Sequence, residues 1–282
     1  MLSFLVLGPM EIRAHRRTLM LKGVLQQTLL AALLASGEGL VTVDSLIEEL
    51  WGPTPPSRTE NALQAQISRL RRSLGRLEPD SPDSRLATMT AGYQFSLNRA
   101  EFDAATLLDT VSGIRSRGGK NIRRDVADLR EALALWRGPA FGGISGGPIC
   151  QAAVARYQEC YATTLVLLYE LELQGGEHAK IVPELSELVA RFPLQESFCE
   201  LLMLALYRCG RQTDALAEAR RLRERLIEEL GVEPSPPLRG LEEAILNHDP
   251  MLLRTDAVLT AAGISNRENG PFSRSSTHGY EH

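Results

Sequence analysis

The sequence lacks the long apolar run that a membrane helix needs. None of its hydrophobic segments approaches about 18 uninterrupted residues, although hydrophobic residues make up 44% of the 282-residue chain. The N-terminus, MLSFLVLGPMEIR, has no basic stretch before its short apolar run and no small-residue cleavage site, so it favours a strand over a signal peptide. We therefore expect a globular, cytoplasmic protein of about two domains that does not bind membranes.

Motifs for catalysis and for metal binding are also missing. The four cysteines form no CxxC pair, and the five histidines are scattered, with two of them near the C-terminus. GxSxG and HExxH do not occur, and the glycines of 138–147 lack the order of a phosphate-binding loop. We expect no enzyme activity, no cofactor and no metal, and we interpret each cysteine as a small core hydrophobe in a reducing compartment.

Acidic residues slightly outnumber basic ones overall, but basic residues dominate one segment. The formal net charge is −4, whereas the segment 57–76 carries five arginines against Glu60 alone. A local basic patch on a mildly acidic protein is compatible with nucleic-acid contact without demanding it.

The order of elements in the first hundred residues predicts a small α+β domain. The patterns indicate, in order, strands at 2–7 and 18–21, helices at 24–35, 43–51 and 57–74, and a hairpin of strands at 85–90 and 93–97. This order is typical of a winged helix-turn-helix, in which the third helix enters the DNA major groove and the hairpin forms the wing.

Beyond about residue 100 only helical periodicity is found, so the chain is predicted to be mainly α. The helices are predicted at 101–115, 123–137, 149–174, 178–191, 195–209, 212–230 and 236–247. A weak repeat at an offset of about 35 residues is close to the roughly 34-residue period of TPR proteins. We predict a winged-helix domain over 1–98, an all-α TPR-like domain over 99–250 and, from its polar composition, a disordered tail over 251–282.

The helix at 57–74 carries the candidate binding chemistry. Leu63, Ile67, Leu70 and Leu74 recur on one stripe, which places amides, a hydroxyl and guanidinium groups on the opposite side. Arginine pairs well with guanine, and asparagine or glutamine with adenine. The predicted DNA-binding residues are Arg58, Thr59, Asn61, Gln64, Ser68, Arg69, Arg71, Arg72, Arg76 and Tyr93. The same face could also be an ordinary solvated helix surface.

Within that set the expected roles differ. Arg71 and Arg76 lie to the side and at the end of the helix, where phosphates are the expected partners. The hairpin turn is Thr90-Ala91-Gly92, which lacks a basic tip, so we expect only a weak contribution from the wing, and Tyr93 could serve packing alone.

Several long strings resemble the Streptomyces antibiotic regulatory protein family, in its small form without an appended ATPase. The resemblance spans roughly residues 1–250. It rests on ELWG (49–52), NALQAQISRLRRSL (61–74) with the following AGY, ALALWRGPAF (132–141), VPELSELVARFPLQE (182–196), LLMLALYRCGRQTDAL (201–216) and ELGVEPSPPL (229–238). One departure concerns the wing: the family commonly has an arginine before its Gly-Tyr, and Ala91 stands near that place.

The resemblance implies a specific activity. It implies an effector domain like that of two-component response regulators, fused to a bacterial transcriptional activation domain and acting in the nucleoid. Such proteins bind direct repeats in double-stranded promoter DNA near the −35 region of secondary-metabolite gene clusters. Two protomers bind side by side as a homodimer on DNA and recruit RNA polymerase through its sigma and alpha subunits.

Two other functions remain open at this point. A TPR-type adaptor that binds a peptide would account for residues 100–250 but not for the first hundred. A repressor could use the same DNA-binding architecture, because the sign of regulation depends on where the operator lies.

Overall fold

The computed structural model describes residues 2–14, 17–79, 84–118, 120–144, 146–254, 257–260 and 263–266. Within these ranges the chain is mainly helical, with short strands confined to the first hundred residues and to one hairpin near the C-terminus. The fold class predicted from the sequence, a winged helix-turn-helix followed by a helical domain, is confirmed. None of the described helices combines the length and the apolar character needed to cross a lipid bilayer.

An antiparallel three-stranded sheet begins the chain. Its strands are β1 (Leu2–Leu5), β2 (Glu11–Ala14) and β3 (Arg17–Leu19), in the order β1-β2-β3. The strands predicted at 2–7 and 18–21 correspond approximately to β1 and β3, and no separate strand is predicted at β2. In the structure Ile12 and Ala14 of β2 point into the core while Arg13 is exposed, which is the alternation of a half-buried strand.

Three helices follow at nearly the predicted positions: α1 (Val24–Ala35), α2 (Val43–Trp51) and α3 (Thr59–Gly75). Thr42 caps α2, because its Oγ1 accepts a hydrogen bond from Ser45 N at 3.2 Å. Gly52 ends α2 with φ 54°, in the left-handed region that glycine tolerates.

A second three-stranded sheet includes a strand that the sequence did not reveal. Strands β5 (Leu86–Met89) and β6 (Gly92–Phe95) form the predicted hairpin, and β6 also pairs with the short β4 (Leu40–Thr42). Gly92 lies opposite Thr42, and a Cβ at this position would come within 2.0 Å of Val41 O. The close approach of β4 therefore requires glycine at the start of β6.

The remaining elements are helical up to residue 253. They are α4 (Asp103–Arg117), α5 (Ile122–Ala134), α6 (Pro148–Gln174), α7 (His178–Arg191), α8 (Glu196–Arg208), α9 (Gln212–Leu230) and α10 (Pro236–Leu246), with short 3-10 turns at Arg99–Glu101, Ala140–Gly143 and Pro250–Leu253. Helices α7 and α9 begin 34 residues apart, as the predicted repeat requires. Cys150 and Cys199 are buried, whereas Cys160 and Cys209 are half-buried, and all four are free.

The tail departs from the predicted disorder at its beginning. Leu252 in the turn Pro250–Leu253 is fully buried, and β7 (Ala257–Thr260) pairs with β8 (Gly263–Asn266) in an antiparallel hairpin. The prediction of disorder from residue 251 is therefore wrong for these segments. Polar composition did not reveal the short apolar runs MLL and AVL as ordered, and the prediction for 267–282 lies outside the described residues.

The chain forms two compact units, and their limits differ from the boundary expected at residue 98. The first unit contains residues 1–118 and 127–164, so it combines the N-terminal elements with α4 and the first part of α6. The second contains 119–126 and the residues from Leu165 onward, and its helices α7, α8 and α9 pack in succession. The division at residue 98 remains a prediction about domains.

Candidate nucleic-acid interface

Helix α3 is anchored to the core by the stripe that the sequence predicted. Leu63, Ile67, Leu70 and Leu74 are between 0% and 4% exposed. One polar anchor was not predicted: Gln66 is also buried, and the Gln26 side chain on α1 donates to Gln66 O at 3.0 Å and to Gln66 Oε1 at 2.6 Å. This buried amide pair fixes the position of α3 against α1, because a buried polar group is costly unless it is hydrogen-bonded.

The opposite side of α3 is open to solvent. We call it the reader face, and its exposed residues are Asn61, Gln64, Ala65, Ser68, Arg69 and Arg72. Arg69 and Arg72 form no ion pair with the part of the chain that the structure describes. The face thus presents amide, hydroxyl and guanidinium groups around the small side chain of Ala65.

Three further predicted residues lie at the two ends of α3. Arg58 precedes the helix and Arg76 follows it, and both are exposed. Thr59 is half-buried, and its hydroxyl donates to Pro56 O at 2.5 Å. Thr59 therefore holds the entry to the helix, in the proline-rich turn that separates α2 from α3.

Arg71 has hydrogen-bond partners that the sequence did not predict. Its Nε donates to Leu86 O at 2.9 Å and its Nη2 to Thr88 Oγ1 at 2.8 Å, both on β5 of the hairpin. The guanidinium also lies 6.0 Å from the centre of the Tyr93 ring. Arg71 therefore joins α3 to the hairpin, and the structure gives it protein partners where the sequence suggested phosphate.

Tyr93 belongs to the core of the hairpin. It is 8% exposed and lies opposite Thr88 in the register of β5 and β6. Of the two roles considered for this residue, DNA contact and packing, its burial favours packing. Thr90 and Ala91 at the turn are exposed and bring no positive charge to it.

An ion-paired arginine fixes the base of the hairpin. Arg85 Nη2 donates to Glu78 Oε1 at 2.7 Å, and Arg85 Nη1 donates to Glu101 Oε2 at 2.8 Å. The hydrogen bond from Arg85 lowers the pKa of Glu78, and the two carboxylates raise the pKa of Arg85. Arg85 and Glu78 are half-buried and Glu101 is buried, and their pairing stabilises the hairpin and leaves none of the three free to bind a ligand.

The described part of the chain contains no candidate metal-binding cluster. No group of three histidine, cysteine, aspartate or glutamate side chains there is placed to bind a metal ion. The reader face with its flanking arginines is therefore the candidate site of the first unit.

Two family models match the chain in the order of its elements. Residues 24–95 match the family described as transcriptional regulatory protein, C terminal, and residues 102–246 match the bacterial transcriptional activator domain. The first match covers α1 through the hairpin, including the reader face. The chain is thus a DNA-binding regulator of transcription.

Similar proteins narrow this class to one family. The transcriptional regulator RedD of Streptomyces coelicolor is 38% identical over 249 residues, which cover 88% of this chain and 71% of RedD. The regulatory protein DnrI of Streptomyces peucetius is 35% identical over 79% of this chain and 84% of DnrI. The chain belongs to the Streptomyces antibiotic regulatory protein family.

Longer proteins contain a region that is similar to this chain. The regulatory protein AfsR of Streptomyces coelicolor is 39% identical over 91% of this chain, but the match spans only 25% of AfsR. Among solved structures, Mycobacterium tuberculosis EmbR in complex with a low-affinity phosphopeptide superposes with a TM-score of 0.82 at 28% identity. That match covers 88% of this chain and 66% of the EmbR chain.

Proposed function

We propose that this protein activates transcription of a secondary-metabolite gene cluster by binding direct repeats near the −35 region through helix α3. The observation that carries the proposal is the reader face. Its amides, its hydroxyl and two guanidiniums, which have no carboxylate partner among the described residues, project from a helix whose other side is fully buried. A helix has the width to enter the major groove, where each base pair presents a distinct pattern of donors and acceptors.

The residues divide into three roles in this proposal. Arg69 and Arg72 pair with guanine, and Asn61, Gln64 and Ser68 bind neighbouring base edges. Arg58, Thr59 and Arg76, at the ends of the helix, contact phosphates and set its register on the duplex. Arg71 and Tyr93, whose side chains are engaged within the protein, support the hairpin and do not bind DNA directly.

The helical residues beyond 100 supply activation in this proposal. Two protomers occupy adjacent repeats side by side, and their helical domains contact the sigma and alpha subunits of RNA polymerase. Membership of the family and the match to a bacterial transcriptional activator domain support this assignment. A repressor acting from a different operator position is the alternative, and it needs no change in the reader face.

Binding is tested with the full chain by fluorescence anisotropy against duplexes tiled across the intergenic regions next to its gene. The double variant Arg69→Ala/Arg72→Ala is compared with Arg220→Ala/Arg225→Ala, which removes the same charge from exposed positions on α9. We expect tight binding to one tile, abolished in the first variant and kept in the second. Removing an arginine that pairs with a base costs about 1–3 kcal/mol of binding free energy. Equal affinity of both variants for that tile would contradict the assignment of α3.

The sign of regulation is tested by transcription in vitro from the bound tile with bacterial RNA polymerase. An activator increases the number of transcripts, and the Arg69→Ala/Arg72→Ala variant does not. A decrease in transcripts would instead identify a repressor. Binding to no tile, with the chain folded, would favour the peptide-binding adaptor.

A further inference from the structure

Glu49 on α2 is a buried carboxylate that the proposed contacts with DNA do not use. Glu49 is 4% exposed, and aspartate and glutamate are almost never buried to this degree without a partner. The partners here are two backbone N–H groups: Ile149 N donates to Glu49 Oε1, and Cys150 N donates to Glu49 Oε2 at 3.4 Å.

These two N–H groups belong to the first turn of α6, which begins at Pro148. The first N–H groups of a helix have no partner within the helix, and they form its positive end. Pro148 has no N–H group to satisfy, so the carboxylate meets the donors that follow it. Glu49 therefore caps α6 with a side chain that comes from a residue 100 positions earlier in the chain.

The segment before α6 is shaped for this contact. A Cβ on Gly147 would lie 2.8 Å from Glu49 Cα, and a Cβ on Gly146 would lie 2.4 Å from Cys150 Cβ. Cys150 Sγ in turn lies 3.9 Å from Thr28 O on α1, as a weak donor. The two glycines thus allow the start of α6 to lie directly against α2.

Further contacts within the same compact unit fix the first sheet to residues beyond 100. The Asp103 carboxylate accepts hydrogen bonds from Val6 N at 2.9 Å and Leu7 N at 3.1 Å. Arg137 N donates to Leu7 O at 2.6 Å, and a Cβ on Gly8 would lie 2.8 Å from Arg137 Cβ. These contacts involve the N-terminal sheet. Among the contacts described here, only that of Glu49 involves α2, the helix that precedes α3.

We infer that Glu49 is a positioning residue for DNA recognition, which caps α6 and thereby fixes α2 and the reader helix α3 relative to the start of the helical domain. This inference rests on the proposed function. Helix α2 packs against both α1 and α3, so a shift of α2 moves the reader face. When two protomers occupy adjacent repeats, the spacing of the two reader helices has to match the helical repeat of DNA.

A positioning role for Glu49 affects DNA binding differently from general destabilisation. A protein with a looser α2–α6 contact still binds one repeat through α3, but its two copies no longer match the spacing of tandem repeats. The informative quantity is therefore the ratio of the Kd for a duplex with one repeat to the Kd for a duplex with two. A smaller fraction of folded protein would weaken binding to both duplexes by the same factor.

The test uses the full chain with two pairs of variants. Glu49→Gln replaces one acceptor with an N–H donor, and Glu48→Gln makes the same change at the exposed neighbouring position. Gly147→Ala places a Cβ against Glu49, and Gly113→Ala adds a Cβ in α4 where nothing lies within 4 Å. Amide hydrogen exchange is measured on each variant, followed by anisotropy with the bound tile and with the same tile carrying one scrambled repeat.

We expect Glu49→Gln and Gly147→Ala to speed exchange in α2, α3 and the first turn of α6, and to lower the two-repeat preference by about tenfold, within the usual range for coupling between sites. Glu48→Gln and Gly113→Ala should match the unmodified chain in both measurements. Unchanged exchange in α2 and α3, or faster exchange with an unchanged ratio, would overturn the inference.

The two measurements separate this inference from the proposed function. If the unmodified chain binds no tile, both the proposed function and the role of Glu49 in DNA recognition are contradicted. Hydrogen exchange still shows whether Glu49 holds α2 in place. If Glu49→Gln does not fold, Gly147→Ala gives the same comparison with the carboxylate in place.

Discussion

At the scale of single residues, Glu200 on α8 is in an environment that opposes its charge. Burial raises its pKa to about 7, and the nearby carboxylates of Glu196 and Glu170 contribute to this rise. A raised carboxyl pKa means that the folded state binds a proton more tightly than the unfolded chain does. The protonated side chain therefore favours the folded state. This contribution to the free energy of unfolding is fully present below the ordinary pKa of 4.5 and is lost as the pH rises through the folded-state pKa of about 7.

We therefore expect Glu200→Gln to stabilise the protein at pH 8 and to have little effect at pH 5. Glutamine resembles the protonated side chain, so it removes the cost of the charge only where the charge exists. Because the residue is half-buried and solvent screens part of this cost, we expect a gain of about 2–4 °C in Tm, equivalent to roughly 1 kcal/mol. Thermal unfolding by circular dichroism measures it, with exposed Glu228→Gln as the control. A gain of the same size at both pH values would contradict this account.

The sequence predicts which residues of α3 are exposed better than it predicts which of its side chains form hydrogen bonds to other elements. Periodicity alone separates Leu63 and Leu70 from Asn61 and Arg72, because a single helix decides which side each residue takes. It cannot show that Arg71 binds the hairpin or that Gln66 pairs with Gln26. Those partners lie 15 and 40 residues away in sequence, and only the packing of separate elements brings them together.

At the scale of elements, the contact between α3 and the hairpin depends on Arg71. The bonds to Leu86 O and Thr88 Oγ1 hold β5 against the helix, and the Tyr93 ring lies within cation–π distance. These contacts occupy the guanidinium on the protein side. We therefore propose that Arg71 contributes to DNA binding through the geometry of the hairpin and not through contact with phosphate.

We expect Arg71→Ala to lower the Tm and to weaken DNA binding by less than Arg72→Ala does. It should leave the salt dependence of binding unchanged, because the substitution removes no bond to phosphate. Anisotropy titrations at several salt concentrations measure this, with Arg76→Ala as the comparison. If Arg71→Ala reduced the slope by about one contact, phosphate would be its partner, as the sequence alone suggested.

The helices of this chain are predictable, whereas strands β2, β4, β7 and β8 are not. Helices α1, α2, α7 and α9 have the limits predicted from the sequence, since each has a long apolar period with clear start or stop residues. Strands β2 and β4 have four and three residues, too few for an alternating pattern to stand out. Strand β4 forms only because β6 pairs with it, and Gly92 permits that approach.

At the scale of the whole molecule, the charge is distributed so that a net negative protein presents a positive surface. The net charge is −4, whereas five arginines and one glutamate occupy 57–76. Charges separated by more than a Debye length of about 8 Å at physiological salt are largely screened. In the proposed function the arginines around α3 therefore dominate the attraction to DNA, because acidic residues farther away than this length are screened.

Because of this charge distribution, the salt dependence of DNA binding reports how many arginines contact phosphate. Arg58, Arg69, Arg72 and Arg76 are exposed on or beside α3. Each phosphate contact contributes about −0.9 to the slope of log affinity against log salt, so the contacts assigned to Arg58 and Arg76 give about −1.8 per protomer. Arg69 and Arg72 would make the slope steeper only by contacting phosphate, because an arginine bound to guanine neutralises no phosphate directly.

We expect Arg76→Ala to reduce the slope by about one contact and to weaken binding equally on specific and scrambled duplexes, since a phosphate contact carries no sequence information. Arg72→Ala should instead reduce the preference for the specific duplex. Anisotropy titrations over a range of salt concentrations measure both effects, with Arg239→Ala on α10 as an exposed control. Affinity that does not change with salt would contradict an electrostatic reader surface, because a duplex bound through arginines has to release counterions.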